Sequence, residues 1–586
     1  MIRLFKNFEK KDLIIILTII VLVAFSVFLD LRMPEYMSEI TRLVQTETST
    51  MNEILIAGAH MIICAVGSLV CTIVVGYFSS LLSARFSRSI RRKIFAKVES
   101  FGIAEIKKFS TSSLITRTTN DVTQVEMLLS MGLILLIKAP IMAVWALLKI
   151  IGKSGELSLV TGVGVILIVI TNMFIIKTVS PRFAKIQKLT DKINGATREN
   201  ITGIRVVHAF NAEKFEQKRF NDVNDELTGI HLKITKTFAL MDPMMNFVMH
   251  FQHLGIYIVG AFLIVNSGMI DKINLFSNMV VFASYGMQVI ISFLMLTMIF
   301  MVLPRAQVSA NRINEVLDSE VSIHSGTFDG DTEDVGTVEF RDVSFKYPDA
   351  DEYLLKHISF TANKGETVAF IGSTGSGKST LINLVPRLYD ATDGEVFVDG
   401  VNVKSYDIKA LNNKIGYIPQ TAVMFTGTVS ENISYGDNGK EKPTLEKIKK
   451  AIEVAQGKDF VEKMDDKYEA HIARGGTNVS GGQKQRLSIA RAIARDPEIY
   501  IFDDSFSALD YQTDAKLRRE LKKYTKDATS LIVAQRIGTI MNADKIIVLD
   551  KGECVGIGTH KELLKSCKVY KEIALSQLSE EELQNA

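Results

Sequence analysis

Thr367-Val368-Ala369-Phe370-Ile371 runs directly into Gly372-Ser373-Thr374-Gly375-Ser376-Gly377-Lys378-Ser379-Thr380. A short apolar run, a glycine-rich turn and a resumed polar–apolar pattern predict a buried strand, a tight loop and a helix. The loop fits G-x-x-x-x-G-K-[ST], in which glycines let backbone N–H groups close around phosphates. Lys378 would reach the outer phosphate oxygens, and the Ser379 hydroxyl would ligate Mg²⁺.

Downstream, Ile499-Tyr500-Ile501-Phe502 predicts a second buried strand ending in Asp503-Asp504. A carboxylate at a strand end beside such a loop is placed to hold Mg²⁺, which makes Asp503 a metal candidate. Between the two strands lies Val479-Ser480-Gly481-Gly482-Gln483, followed by a helical run through Lys484-Gln485-Arg486-Leu487. Small residues opening a helix make a second anion site, here remote in sequence from the first. The C-terminal half therefore reads as an α/β nucleotide-binding domain over 337–586.

The N-terminal half is of another kind. The chain has 586 residues, 47% hydrophobic and 23% charged, with four cysteines and a net charge of +3. Four cysteines exclude a disulfide scaffold, and the composition excludes a disordered chain. Six runs approach the roughly 20 apolar residues that a membrane crossing needs: Leu13–Leu29, Met61–Leu82, Leu128–Leu148, Leu157–Ile176, Met244–Val265 and Leu275–Leu303. The first follows Lys10 and Lys11 but has no small-residue cleavage site after it, so it is expected to be retained. Residues 1–10 suit a short interfacial helix.

Basic residues fix the expected orientation. Arg85 to Arg117 holds nine Lys or Arg against two acids, and Lys177 to Lys236 holds twelve. Met33 to Glu53 holds only Arg42, among several glutamates, and the turn near Lys153 is short. Both basic loops and both termini are thus expected in the cytoplasm, with the long loops formed by helices continuing past the membrane. Lys138, His250, Gln252, His253 and Gln288 are polar residues within spans. Helix–helix bonding or snorkelling accounts for them, and Lys138 is expected to face a cavity or snorkel. An acidic stretch at Asp329, Asp331, Glu333 and Asp334 marks a linker over 319–336, after a membrane domain over 1–318.

Taken together, these motifs resemble an ATP-binding cassette exporter half of the multidrug type, with Ser480-Gly481-Gly482-Gln483 as its signature. The resemblance implies a six-helix transmembrane domain followed by a P-loop nucleotide-binding domain, with ATP and Mg²⁺ as cofactors. Tyr347 matches the family's adenine-stacking aromatic. Gln420 matches the glutamine that senses Mg²⁺ and the membrane domain, and Asp510 closes the loop Ser507-Ala508-Leu509-Asp510. Residues 112–122 and 203–213 resemble the two intracellular loops. The family pairs two halves head to tail, so that each ATP lies between one P-loop and the other signature.

Three positions depart from the family pattern. Asp504 stands where a catalytic glutamate orients water; one methylene shorter, its carboxylate would miss that water by over about 1 Å, a displacement that can cost about 100-fold. Gln535 stands where a histidine is usual and cannot carry a proton. Arg474 replaces a glutamate before the signature. Hydrolysis at this chain's own site, with Asp504, Gln535 and Gln420 as its catalytic candidates, is therefore expected to be slow.

The departures resemble the degenerate-site subunit of a bacterial heterodimeric exporter of amphipathic compounds in the inner membrane. Its partner would carry the competent site. A slowly turning homodimer, a lipid or peptide exporter and an ATP-gated regulator are the alternatives. The absence of a domain before Leu13 disfavours a peptide exporter with its own leader protease. Six spans exclude a soluble ATPase acting on nucleic acid.

Overall fold

The computed structural model describes residues 2–6, 8–46, 48–151, 154–330 and 332–578. Lys153 and Asp331, read above as turn and linker residues, lie outside them. Contacts divide the chain into two units, Met1–Glu99 with Thr111–Ser319, and Ser100–Ser110 with Glu320–Ala586.

Among the described residues of the first unit, six helical paths are long and apolar enough to cross a membrane: Lys10–Gln45, Met51–Glu99, Thr111–Ile151, Gly155–Val179, Glu213–Val265 and Asp271–Leu317. Each contains one of the six runs expected from sequence. The Met51–Glu99 helix has 49 residues. At 1.5 Å per residue it measures about 74 Å, more than twice the roughly 30 Å hydrocarbon layer. It therefore continues into the first basic loop, as the scarcity of Gly and Pro predicts. The Gly155–Thr202 and Glu213–Ala239 helices do the same in the second loop.

Some polar residues in the spans meet partners on other helices. The Lys138 ammonium lies 3.2 Å from Asp30 Oδ2, and both side chains are mostly buried. The same carboxylate accepts from Ser68 Oγ at 2.5 Å, while Gln288 Nε2 donates to the Asp30 carbonyl at 3.3 Å. Five residues beyond Asp30, Glu35 pairs with Lys149 at 2.7 Å. Pairing offsets the cost of placing ammonium groups among apolar helices. Apolar content alone ends the expected span at Leu29, one residue short of Asp30. Gln252 is 2% exposed and packs against Gly164 and Gly286, with its Nε2 unpartnered.

The second unit is built on a six-stranded sheet with Thr367–Gly372 near its centre. Its order is Glu553–Gly558, Lys545–Asp550, Thr367–Gly372, Thr529–Val533, Ile499–Asp503 and Ile415–Ile418. All neighbours are parallel except the Glu553–Gly558 edge. Parallel strands covered on both faces need continuous apolar runs, and Val368, Phe370, Ile371, Ile499 and Ile501 are fully buried. A four-stranded sheet ordered Leu355–Ala362, Val338–Phe345, Asp393–Val398, Val401–Asn402 is mainly antiparallel and shares the same core.

Candidate nucleotide-binding site

Strand register creates the site. Val533 pairs with Phe370 on one side and with Asp503 on the other. The residues just past these strand ends therefore gather along one edge of the sheet: Gly372 onward, Asp504, and Ala534-Gln535. That edge, outside the carboxyl ends of parallel strands, is where ligands bind in such folds.

The Gly372–Thr380 loop curls over its own lysine. Lys378 Nζ donates to the carbonyls of Gly372 at 2.9 Å and Ser373 at 2.7 Å. Burial holds the Lys378 ammonium below its ordinary pKa, against the opposing pull of Asp504 and Asp503. Gly377 has φ +95° and caps the Lys378–Asn383 helix; a Cβ there would strike Leu355. Ser373, Thr374 and Gly375 are exposed while Ser376 is buried. A Cβ on Gly375 would meet nothing within 4 Å, so the loop leaves an open cradle.

Ser379 Oγ donates to Asp503 Oδ1 at 2.6 Å. Burial raises the Asp503 carboxyl above the usual carboxylate range, while the Ser379 bond pulls it down. These oxygens are the hard donors that Mg²⁺ takes, and with Lys378 beside them they could hold a metal-bound triphosphate. Bound Mg²⁺ would neutralise phosphate charge. Tyr347 is fastened to the end of the same loop, its hydroxyl 2.9 Å from Thr380 Oγ1.

Asp504 sits in the left-handed region at φ +46°, which Asp tolerates better than most residues. Gln535 Nε2 donates to its Oδ2 at 2.7 Å, and Gln420 Nε2 reaches the same oxygen at 3.4 Å. Burial raises the Asp504 carboxyl, with the Gln420, Ser507 and Gln535 bonds opposing. Sequence reasoning selected Asp504, Gln535 and Gln420 separately; their meeting at one oxygen follows from the strand register.

The signature lies elsewhere on the unit. Ser480 caps the Gly481–Arg495 helix, accepting from Gln483 N at 3.3 Å, while Gln483 Oε1 accepts from Ser480 N at 2.8 Å. Ser480 and Gly481 are exposed, with Gly482 and Gln483 half-buried behind them. Among the described residues no hydrogen bond or ion pair joins Ser480–Gln483 to the phosphate loop. Asp510 caps the Tyr511–Tyr524 helix through Thr513 N at 2.9 Å. Arg474 opens a short turn in which Gly475 has φ +68° and accepts from Lys484.

The fold and site define a membrane-spanning ATPase of the ABC transporter class. Residues 355–507 match the ABC transporter family and 14–293 match the ABC transporter transmembrane region. The chain is 39% identical over 521 residues to an ABC transporter ATP-binding protein of Mycobacterium tuberculosis, covering 88% of this chain and 87% of that one. It is 31% identical over 509 residues to an ATP-dependent lipid A-core flippase of Pseudomonas aeruginosa, covering 86% and 82%. Among solved structures, a bacterial Atm1-family ABC exporter with ATP bound shares the fold at TM-score 0.80 and 20% identity, covering 97% of this chain and all of that one. The chain belongs to the ABC transporter family: a multi-pass, ATP-hydrolysing membrane protein with the exporter fold.

Proposed function

We propose that this chain is the degenerate-site half of a heterodimeric exporter that moves amphipathic compounds out of the cell across a bacterial inner membrane. Residues 1–318 form the membrane domain, 319–336 the linker and 337–586 the nucleotide-binding domain. Tyr347 stacks on adenine, 372–380 hold the phosphates, and Ser379, Gln420 and Asp503 serve Mg²⁺. Ser480–Gln483 and Asp510 complete the partner's site.

The observation that carries this reading is the Asp504 carboxylate, held by the Gln535 amide at 2.7 Å. A carboxylate one methylene shorter than glutamate and tied by an uncharged amide is poorly placed to accept a proton from attacking water. The phosphate-binding elements, by contrast, are complete, so ATP would be held long and hydrolysed slowly. The exposed signature has no phosphate loop of its own within bonding reach, which favours a second chain. On the second loop, Val206 and Phe210 are also exposed, Phe210 at 78%. Apolar side chains at a loop tip suit docking on a partner.

A second reading has one observation behind it: the relative of 31% identity is named a lipid A-core flippase, so a lipid substrate stands as the alternative to a drug. Photolabelling the co-expressed pair with 8-azido-ATP during turnover tests the main reading. Intact triphosphate should remain on this chain and diphosphate on the partner. Equal diphosphate on both would overturn it.

A further inference from the structure

The helix Ile103–Phe109 lies in the first long loop of the N-terminal half, yet it packs within the second unit. Two contacts anchor its first turn. Glu105 accepts from Gly102 N at 2.8 Å and from Ser322 N at 3.1 Å, and Ile103 and Ala104 press on the core that contains Val338, Phe345 and Tyr389. One turn beyond Ile103, Lys107 falls on the same face. Its ammonium stands 4.8 Å from the Tyr347 ring centroid and 5.8 Å from that of Tyr389. Both distances lie within the roughly 6 Å range of cation–π attraction.

Tyr347 is thereby held on several sides. Its ring packs edge-to-face against Phe345 at 5.1 Å and Tyr389 at 5.3 Å, and its hydroxyl bonds Thr380. An aromatic in a loop loses rotamer freedom when a base stacks on it, and prior fixation removes part of that cost.

We infer that Lys107 is a positioning residue of the nucleotide site, fixing the Tyr347 ring as the platform for a purine base. The inference rests on the reading of Tyr347 as the base-stacking residue. It makes base affinity depend on a lysine from the loop between the second and third spans. An exposed cation–π contact is worth about a 2- to 5-fold change in binding.

The test uses the full chain in lipid nanodiscs, with mant-ATP displaced either by ATP or by inorganic tripolyphosphate. Lys107→Met should weaken ATP about 2- to 5-fold and leave tripolyphosphate unchanged, because the phosphates do not touch the ring. Lys107→Arg, which keeps a cation over the ring, should restore ATP affinity. Unchanged or tighter ATP binding in Lys107→Met, or an equal loss for tripolyphosphate, overturns the inference. Tyr347→Ala and Lys378→Ala separate the two levels. If neither weakens ATP, the nucleotide-site reading itself fails; if both do and Lys107→Met does not, only the role of Lys107 fails.

Discussion

Gln535 and Asp504 share a hydrogen bond of 2.7 Å from amide nitrogen to carboxylate oxygen. Because Val533 pairs with Asp503 across the parallel ladder, the residues just after both strands are brought side by side. The fold thus joins the two positions at which this chain is proposed to depart from its family's catalytic pattern. An amide donor can steady a carboxylate but cannot take up or return a proton.

Replacing both residues should therefore restore chemistry. Asp504→Glu with Gln535→His is expected to raise hydrolysis at this chain's own phosphate loop by tens of fold, within the roughly 100-fold that such misplacement can cost. Single-turnover release of phosphate from the pair, with the partner's own site disabled, reads this directly. An unchanged rate would mean that geometry at Asp504 does not limit this site.

Ser480 carries the opposite expectation. Its hydroxyl caps the Gly481–Arg495 helix and is exposed, free to meet a phosphate loop on another chain. Ser480→Ala loses about 1 kcal/mol of cap stability, too little to unfold the domain. The pair's ATPase activity should nevertheless fall more than about tenfold, since losing one preorganised donor to developing charge costs about 100-fold or more. Full activity in the pair would contradict the proposed cross-chain site.

Lys378→Ala should act differently again. It removes the ammonium that the Gly372 and Ser373 carbonyls now hold, and with it the positive charge proposed to meet the phosphates. ATP retained on this chain after gel filtration should drop about tenfold, with a milder loss of steady-state turnover in the pair. Loss of all turnover together with retention would mean that both sites contribute equally.

The Asp30–Lys138 pair allows a test in the membrane unit. Removing one partner leaves an uncompensated charge among apolar helices, whereas removing both does not. Asp30→Asn and Lys138→Met should each lower the melting temperature in detergent, and the double variant should lose less than their sum. Coupling of about 1 kcal/mol or more is expected, and strict additivity would refute a stabilising pair.

Much of this molecule was legible in its sequence because two periodicities are strong. Long apolar runs gave the six spans, and the run Thr367–Ile371 into a glycine loop gave the central strand and the tight turn into a helix. Contacts between residues distant in sequence were not legible. Asp30 carries no mark of being the partner of Lys138, 108 positions away. Lys107 reads as one more basic residue in a basic loop, and only the packing of Ile103 and Ala104 carries it to Tyr347. The convergence of Gln420 and Gln535 on one oxygen needs the strand order, which crossovers of variable length conceal.

The most direct test of the central claim is the ATPase activity of this chain purified alone in lipid, set against the same chain co-expressed with its candidate partner. The account predicts near-zero turnover alone and strong turnover in the pair. Brisk hydrolysis by the chain alone would contradict it, showing that Asp504 suffices as it stands and that two copies make a working pair.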